Sequence, residues 1–287
     1  MFKELAEVYR YRELLMSMVA RDMKVRYKNS VLGFIWSLLI PLAQVATLTI
    51  VFKYIMGVTV KNYSALLLCA IIPFTFFQQS VLESTTSILA NFQIVKKTYF
   101  PREILPASVV ISNLIHFALA MVVFFLYIIV LRLVSGDGQP PILITWLLVP
   151  VVMAILFLFS MGISLIVACL NTYYEDVKYL TTIIMNLVFY TVPVLYLMEL
   201  PMQREYHHSL VGTLLKIHFS YNPLCYLMTA FRKILLPPFG GEMFKIHLHD
   251  IPLNYGLLAW SAFVSIVVFI IGYRFFNARK WKFAELL

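Results

Sequence analysis

Three cations, two aromatic rings and a carboxylate crowd into Gln93–Glu103, QIVKKTYFPRE. Lys96, Lys97 and Arg102 flank the Tyr99–Phe100 pair. That mixture suits binding rather than bond-making, because aromatic side chains anchor in a partner's groove while cations steer acidic surfaces toward it. A basic loop at a membrane surface, with rings at the interface, has the same composition. The residues alone leave both readings open. A second basic group lies in Arg21–Lys28, RDMKVRYK. There Asp22 and Arg26 are four residues apart and can pair on a helix.

Catalytic chemistry is harder to find. None of the ten glycines belongs to a G-x-x-x-x-G-K-[ST] loop, so no phosphate cradle is encoded. If transport is ATP-driven, the ATPase is another polypeptide. Ion-coupled carriers keep acidic or histidine relays at mid-membrane depth. Only Glu83 and His116 lie inside apolar runs here, one near a span end and the other suited to a structural hydrogen bond. His207, His208, His218, His247 and His249 are scattered through one segment rather than spaced as metal ligands. Cys69, Cys169 and Cys225 are odd in number, and two fall in apolar runs, which argues against a disulfide framework. No nucleophile–base arrangement stands out. We expect no catalytic group, metal or cofactor on this chain.

The elements that must position the basic groups are membrane helices. Of 287 residues, 61% are hydrophobic and 13% charged, too little polar surface to cover a soluble domain of this size. Six runs are long enough to span: about Phe34–Met56, Ala65–Leu89, Ile104–Leu131, Leu143–Leu170, Tyr179–Met198 and Leu253–Tyr273. Lysine and arginine gather about twofold on the side shared by the two termini, which places both termini in the cytoplasm. The net charge of +9 then reflects topology and attraction to anionic headgroups, not nucleic-acid binding. Leu14–Ala20 is too short, and too poorly followed, for a cleavable signal peptide.

Residues before Ser30 are expected to form one interface helix. Arg10, Glu13, Ser17, Arg21, Lys24 and Lys28 make a polar stripe opposite Val8, Tyr11, Leu15, Val19 and Met23. Ser160, Ser164 and Ala168 repeat every four residues and favour close helix contact within the subunit. Two helix-like stretches, Leu210–Ile217 and Leu224–Leu236, break the long external connection Glu199–Pro252. The expected fold class is an all-α membrane protein with six transmembrane helices. It divides into an interface helix (1–30), a six-span domain (31–275) with its external region at 199–252, and a C-terminal tail (276–287).

Taken in order, Arg21-Asp22-x-Lys24-x-Arg26-Tyr27, Leu32-Gly33-x-x-Trp36, Pro41, Phe100-Pro101-Arg102-Glu103-x-x-Pro106, Asn222-Pro223-Leu224, Phe231-Arg232 and Phe283-Ala284-Glu285-x-Leu287 resemble a known family. It is the permease subunit of type-2 ABC exporters, in the branch that exports O-antigen, capsule and teichoic-acid polysaccharides. The resemblance implies a homodimer with two ATP-binding-cassette subunits beneath, which carry ATP and Mg. It implies an undecaprenyl-linked glycan as substrate and the bacterial cytoplasmic membrane as location. Gln93, Lys96, Lys97, Tyr99, Phe100 and Arg102, with Asp22 and Arg26, then become ATPase-coupling residues. Trp36, Phe74, Phe77, Tyr190 and Tyr196 become candidate aromatic guides for sugars, and Arg26 and Lys28 candidate attractors of the lipid diphosphate. A permease of the same type for drugs or lipids, or a membrane-embedded enzyme of envelope synthesis, remains as an alternative.

Overall fold

A computed structural model describes residues 2–27, 34–135, 143–203, 210–238, 240–243 and 246–283. Two helices lead, α1 (Phe2–Arg10) and α2 (Arg12–Tyr27), interrupted at Tyr11. α3 (Phe34–Thr49) continues as a π-helical segment, Ile50–Ile55. Then come α4 (Tyr63–Ala90), α5 (Phe92–Lys97) and α6 (Ile104–Ser135). A 3-10 turn at Ile144–Leu148 opens α7 (Val149–Tyr173), and α8 spans Val177–Thr191. Three shorter helices follow: α9 (Glu199–Gln203), α10 (Leu210–Tyr221) and α11 (Pro223–Leu235). The strands β1 (Gly240–Met243) and β2 (Ile246–His249) pair antiparallel, Gly240 opposite His249. α12 (Tyr255–Arg279) ends in a 3-10 turn at Lys280–Lys282.

Among the described residues the chain is thus helical apart from one short hairpin. Four helical segments are long and apolar enough to cross a membrane: Tyr63–Ala90, Ile104–Leu133, Ile144–Tyr173 and Tyr255–Lys282. Two further expected spans coincide with α3 and α8, which are shorter. α8 stops at Thr191 because Pro193 follows, and the residue before a proline is driven out of helical geometry. The expected single leading helix is two, yet its stripe holds: Arg10, Glu13, Ser17, Arg21 and Lys24 are exposed while Met18 and Val19 are buried.

α4 is the axis of the bundle, buried along most of its length and flanked by α3, α6, α7, α8 and α11. The small residues of α7 do make a contact within the subunit. Ser160, Ser164 and Ala168 are fully buried, and Ser164 Oγ donates to the Ser80 carbonyl of α4 at 3.1 Å. On its other side α7 meets α12 so closely that a Cβ at Gly272 would lie 2.2 Å from the Gly162 carbonyl oxygen. Only glycine on both helices permits that approach. Asparagine caps start α11 and α12: Asn222 accepts from the Leu224 amide, and Asn254 from those of Gly256 and Leu257. The Tyr226 hydroxyl donates to the Asn254 carbonyl at 2.6 Å, fixing the two starts together.

Candidate functional site

The basic groups singled out in the sequence meet at one end of the bundle. α2 lies against α6 there, held by polar contacts to the adjoining ends of α4 and α6. Arg26 Nη2 donates to both carboxylate oxygens of Glu83, at 2.9 and 2.8 Å, and Asn113 of α6 donates to the same carboxylate at 2.9 Å. One turn earlier, Arg21 donates to Asn91 at 2.8 Å and pairs with Asp22 at 2.9 Å. Three elements, α2, α4 and α6, are therefore tied around Glu83. The pairing of Asp22 with Arg26 allowed by their spacing does not form. Arg26 is drawn to Glu83, and Asp22 is satisfied by its neighbour Arg21 and by Ser108 Oγ at 3.4 Å. With its charge met by Glu83, Arg26 is not the bare cation expected for a lipid diphosphate. Lys28 and Leu32-Gly33 lie outside the described residues.

α5 and the turn after it form the second half of this end. Val95 is buried and acts as the foot of α5, which leaves Gln93, Lys96 and Lys97 exposed. Lys96 sits 5.8 Å over the ring of Phe92. Tyr99 is 71% exposed, and its hydroxyl donates to Glu7 of α1 at 3.4 Å. The Glu7 carboxylate holds the phenol above its ordinary pKa. Phe100 departs from expectation. It is 5% exposed and belongs to the core, so it is a plug and not a presented ring. Its physical reason is the turn itself: the extended backbone after Thr98 sends successive side chains to opposite sides.

The base of this loop is clamped to the end of α12. Glu103 and Lys280 form a buried ion pair at 2.7 Å, with side chains 4% and 7% exposed. Arg102 donates to the Lys280 carbonyl and lies 6.0 Å from the Phe283 ring. Burial pushes the Arg102 guanidinium below its ordinary pKa. Tyr173, at the end of α7, donates to the Arg279 carbonyl at 3.1 Å and packs edge-on against Phe283. Pro101 precedes α6, and its carbonyl receives the Ile104 amide at 3.1 Å. Glu103 directly precedes α6. Lys280, 177 residues away, carried no signal to mark it as the counter-ion.

The aromatic candidates separate. Phe74 and Phe77 are 1% and 3% exposed and face other helices of the same subunit, Phe74 against Phe189 at 5.4 Å and Phe77 against Phe159 at 5.7 Å. They belong to the core of the subunit. Tyr190 is 66% exposed on α8. Tyr196 is half-buried, its hydroxyl donating to the Thr191 carbonyl at 2.9 Å. The Trp36 side chain lies outside the described residues.

At the opposite end, Lys233 of α11 bridges Glu199 of α9 and Asp250 after β2. Burial raises the Asp250 carboxyl above its ordinary value, with Lys233 opposing. The neighbouring Arg232 is 2% exposed, and burial lowers its pKa. Its Nη2 reaches the carbonyls of Pro193 and Tyr196 at 3.2 and 3.4 Å. This buried arginine locks α11 to the segment after α8. Among the described residues, no group of three His, Cys, Asp or Glu could hold a metal ion; His207 and His208 lie outside them.

Comparison with known proteins adds the following. The family model for "ABC-2 type transporter" matches residues 13–236. The O-antigen export system permease protein RfbA of Klebsiella pneumoniae is 30% identical over 278 residues, covering 96% of this chain and 95% of that protein. RfbA of Myxococcus xanthus is 30% identical over 287 residues, 99% of each. The polysialic acid transport protein KpsM of Escherichia coli is 25% identical over 264 residues, 91% of each.

Proposed function

The chain belongs to the ABC-2 type transporter family, and we propose that it is the transmembrane permease subunit of an ATP-driven polysaccharide exporter. Its cargo in this reading is a lipid-linked glycan of O-antigen, capsule or teichoic-acid type, carried on undecaprenyl diphosphate across the bacterial cytoplasmic membrane. Two copies of the chain form the path, and two ATP-binding-cassette subunits, holding ATP and Mg, supply the force. α3 and α8 complete six spans, with both termini cytoplasmic.

The observation that carries the reading is the clamped loop beside the tied helix. Tyr99, Lys96 and Lys97 project from a base fixed to α12 through Glu103–Lys280, while α2 is fixed to α4 and α6 through Glu83. A push on the exposed side chains is therefore delivered to the spanning helices rather than absorbed by a slack loop. The cargo is supported by the relatives, which match along nearly their whole length and are named for O-antigen and polysialic acid. The bare faces of the segment that continues α3, with Tyr54 and Ile55 exposed, and of α8, with Leu187 and Tyr190 exposed, support a second copy as their neighbour. Tyr190, Tyr196 and Trp36 are the rings we retain as guides for sugars, and the 199–252 region is the external gate.

The test is reconstitution of the subunit with its ATP-binding partner in liposomes. Vanadate-sensitive movement of a lipid-linked oligosaccharide, with ATP hydrolysis stimulated by it, is the expected result. Turnover of an envelope precursor without any ATPase would refute the reading.

A further inference from the structure

α3, α4 and α6 enclose a groove of about 240 Å3. Its polar lining is Gln44 from α3, Thr75, Gln78 and Gln79 from α4, and His116 from α6; the other lining residues are aliphatic, aromatic or proline. Gln44 is exposed and the remaining four are half-buried. The three glutamine amides hydrogen-bond to no other described side chain or backbone group. Thr75–Gln79 sits midway along α4, which runs from Tyr63 to Ala90. A span needs only about 20 residues to cross the hydrocarbon, so these amides lie well inside it. Unmatched amides are costly at that depth, and leucine would remove the cost.

The groove does not stand alone. Thr75, Gln79, Glu83 and Thr86 are spaced 4, 4 and 3 residues apart and share one face of α4. That stripe begins at the Arg26–Glu83–Asn113 knot, at the end of the bundle where α2 lies, and climbs to the groove. A primary amide offers two donors and an acceptor with two lone pairs, which matches the mixed donor–acceptor character of a hydroxyl. Phe76 and Phe117, stacked on each other at 5.0 Å and buried, form the apolar floor of the groove. The volume is below the roughly 300–1,000 Å3 of drug-sized sites, enough for a short head and not for a polymer.

We propose that this groove is a lateral subsite, separate from the path between subunits. It takes the hydroxyl-rich first sugars of a lipid-linked glycan from the inner leaflet, hydrogen-bonded to Gln44, Gln78 and Gln79, while the lipid stays in the bilayer. The proposal rests on the export reading above.

The experiment uses the assembled exporter in nanodiscs and a polyprenyl-diphosphate oligosaccharide carrying a diazirine on its first sugar. Crosslinks are expected on α4 between residues 75 and 86 and on α3 around Gln44. The double variant Gln78→Leu, Gln79→Leu keeps volume and favours lipid, so thermal stability should not fall. The groove crosslinks should drop about tenfold, as two lost hydrogen bonds imply. Gln44→Leu, on a different helix, should lower them several-fold by itself. Labelling on other faces of the subunit, unchanged by these variants, would overturn the subsite and leave the export reading intact. So would labelling by a diazirine phosphatidylethanolamine that competes equally, or disulfide-linked dimers of Gln79→Cys, which would make the occupant an ordinary lipid or a second copy. No labelling anywhere, with no stimulation of ATP hydrolysis, would sink the export reading and this proposal together.

Discussion

Replacing Lys280 with methionine strands the Glu103 carboxylate. The pair is 2.7 Å apart, with side chains 7% and 4% exposed, so neither charge has much water to fall back on. Leaving one partner of such a pair unmatched costs about 3–5 kcal/mol. Replacing both, as in Lys280→Met with Glu103→Leu, should come within about 1 kcal/mol of the native chain. A physical reason favours that near-neutrality: Glu103 Oε2 finds no hydrogen-bond partner among the described atoms, so the native pair leaves part of its desolvation uncompensated. The assay is thermal unfolding in detergent, followed by tryptophan fluorescence, for both single variants and the double. At about 2–4 °C per kcal/mol for a chain of this size, Lys280→Met should lower the midpoint by roughly 10 °C, and the double variant should recover most of it. The double should still differ in function. With the loop base no longer charge-locked to α12, ATP hydrolysed per glycan exported should rise. Additive effects of the two single changes, or a Lys280→Met midpoint within 1–2 °C of native, would refute the buried-clamp argument.

Tyr99→Ala combined with Lys96→Glu and Lys97→Glu should weaken binding of the ATP-binding partner at least about tenfold, measured by interferometry, while the unfolding midpoint holds because these side chains are exposed. Phe100→Asp should instead destabilise the subunit itself by about 3 kcal/mol or more, seen as loss of folded protein before any partner is added. Gly272→Leu, whose Cβ would sit 2.2 Å from the Gly162 carbonyl, should part α7 from α12 and cost at least about 1–3 kcal/mol; a wild-type midpoint would contradict the crossing. Asp250 has a folded pKa raised by burial, so the folded state binds the extra proton and stability declines as pH rises from the ordinary aspartate value through the raised one. Asp250→Asn should flatten that slope without lowering stability at pH 7, read from unfolding midpoints across a pH series.

Apolar run length made the helical membrane class and most element positions legible. The stripe from Arg10 to Lys24 and the helices at α10 and α11 could be read from spacing alone. Long-range partners could not. The Asp22–Arg26 spacing permits a pair, yet Glu83, 57 residues from Arg26, outcompetes Asp22 because it sits where α2 docks. Phe100 and Tyr99 are adjacent and chemically alike, and only the direction of one extended turn decides which is plug and which is handle. Phe74 and Phe77 looked like guides because aromatic residues serve cores and pathways equally well. Gln44, Gln78 and Gln79 escaped notice for the opposite reason: uncharged amides barely disturb a hydropathy profile, and their convergence from two helices exists only in three dimensions.

A π-helical segment winds its backbone less tightly than the α-helix it extends, and Ile50–Ile55 does so at the C-terminal end of α3, with Met56 donating to Val51, five residues back, at 3.0 Å. The chain there carries a spare residue. Deleting one residue between Ile50 and Ile55 should let the segment relax to ordinary α geometry, with the helix below Thr49 and the strand of chain beyond Gly57 staying in register. The same deletion in the middle of α4 would turn everything beyond it by about 100° and scatter the contacts of five helices. Length variation in the α3 segment is therefore cheapest at this spot, and a residue-by-residue deletion scan scored by export would find its tolerant window there.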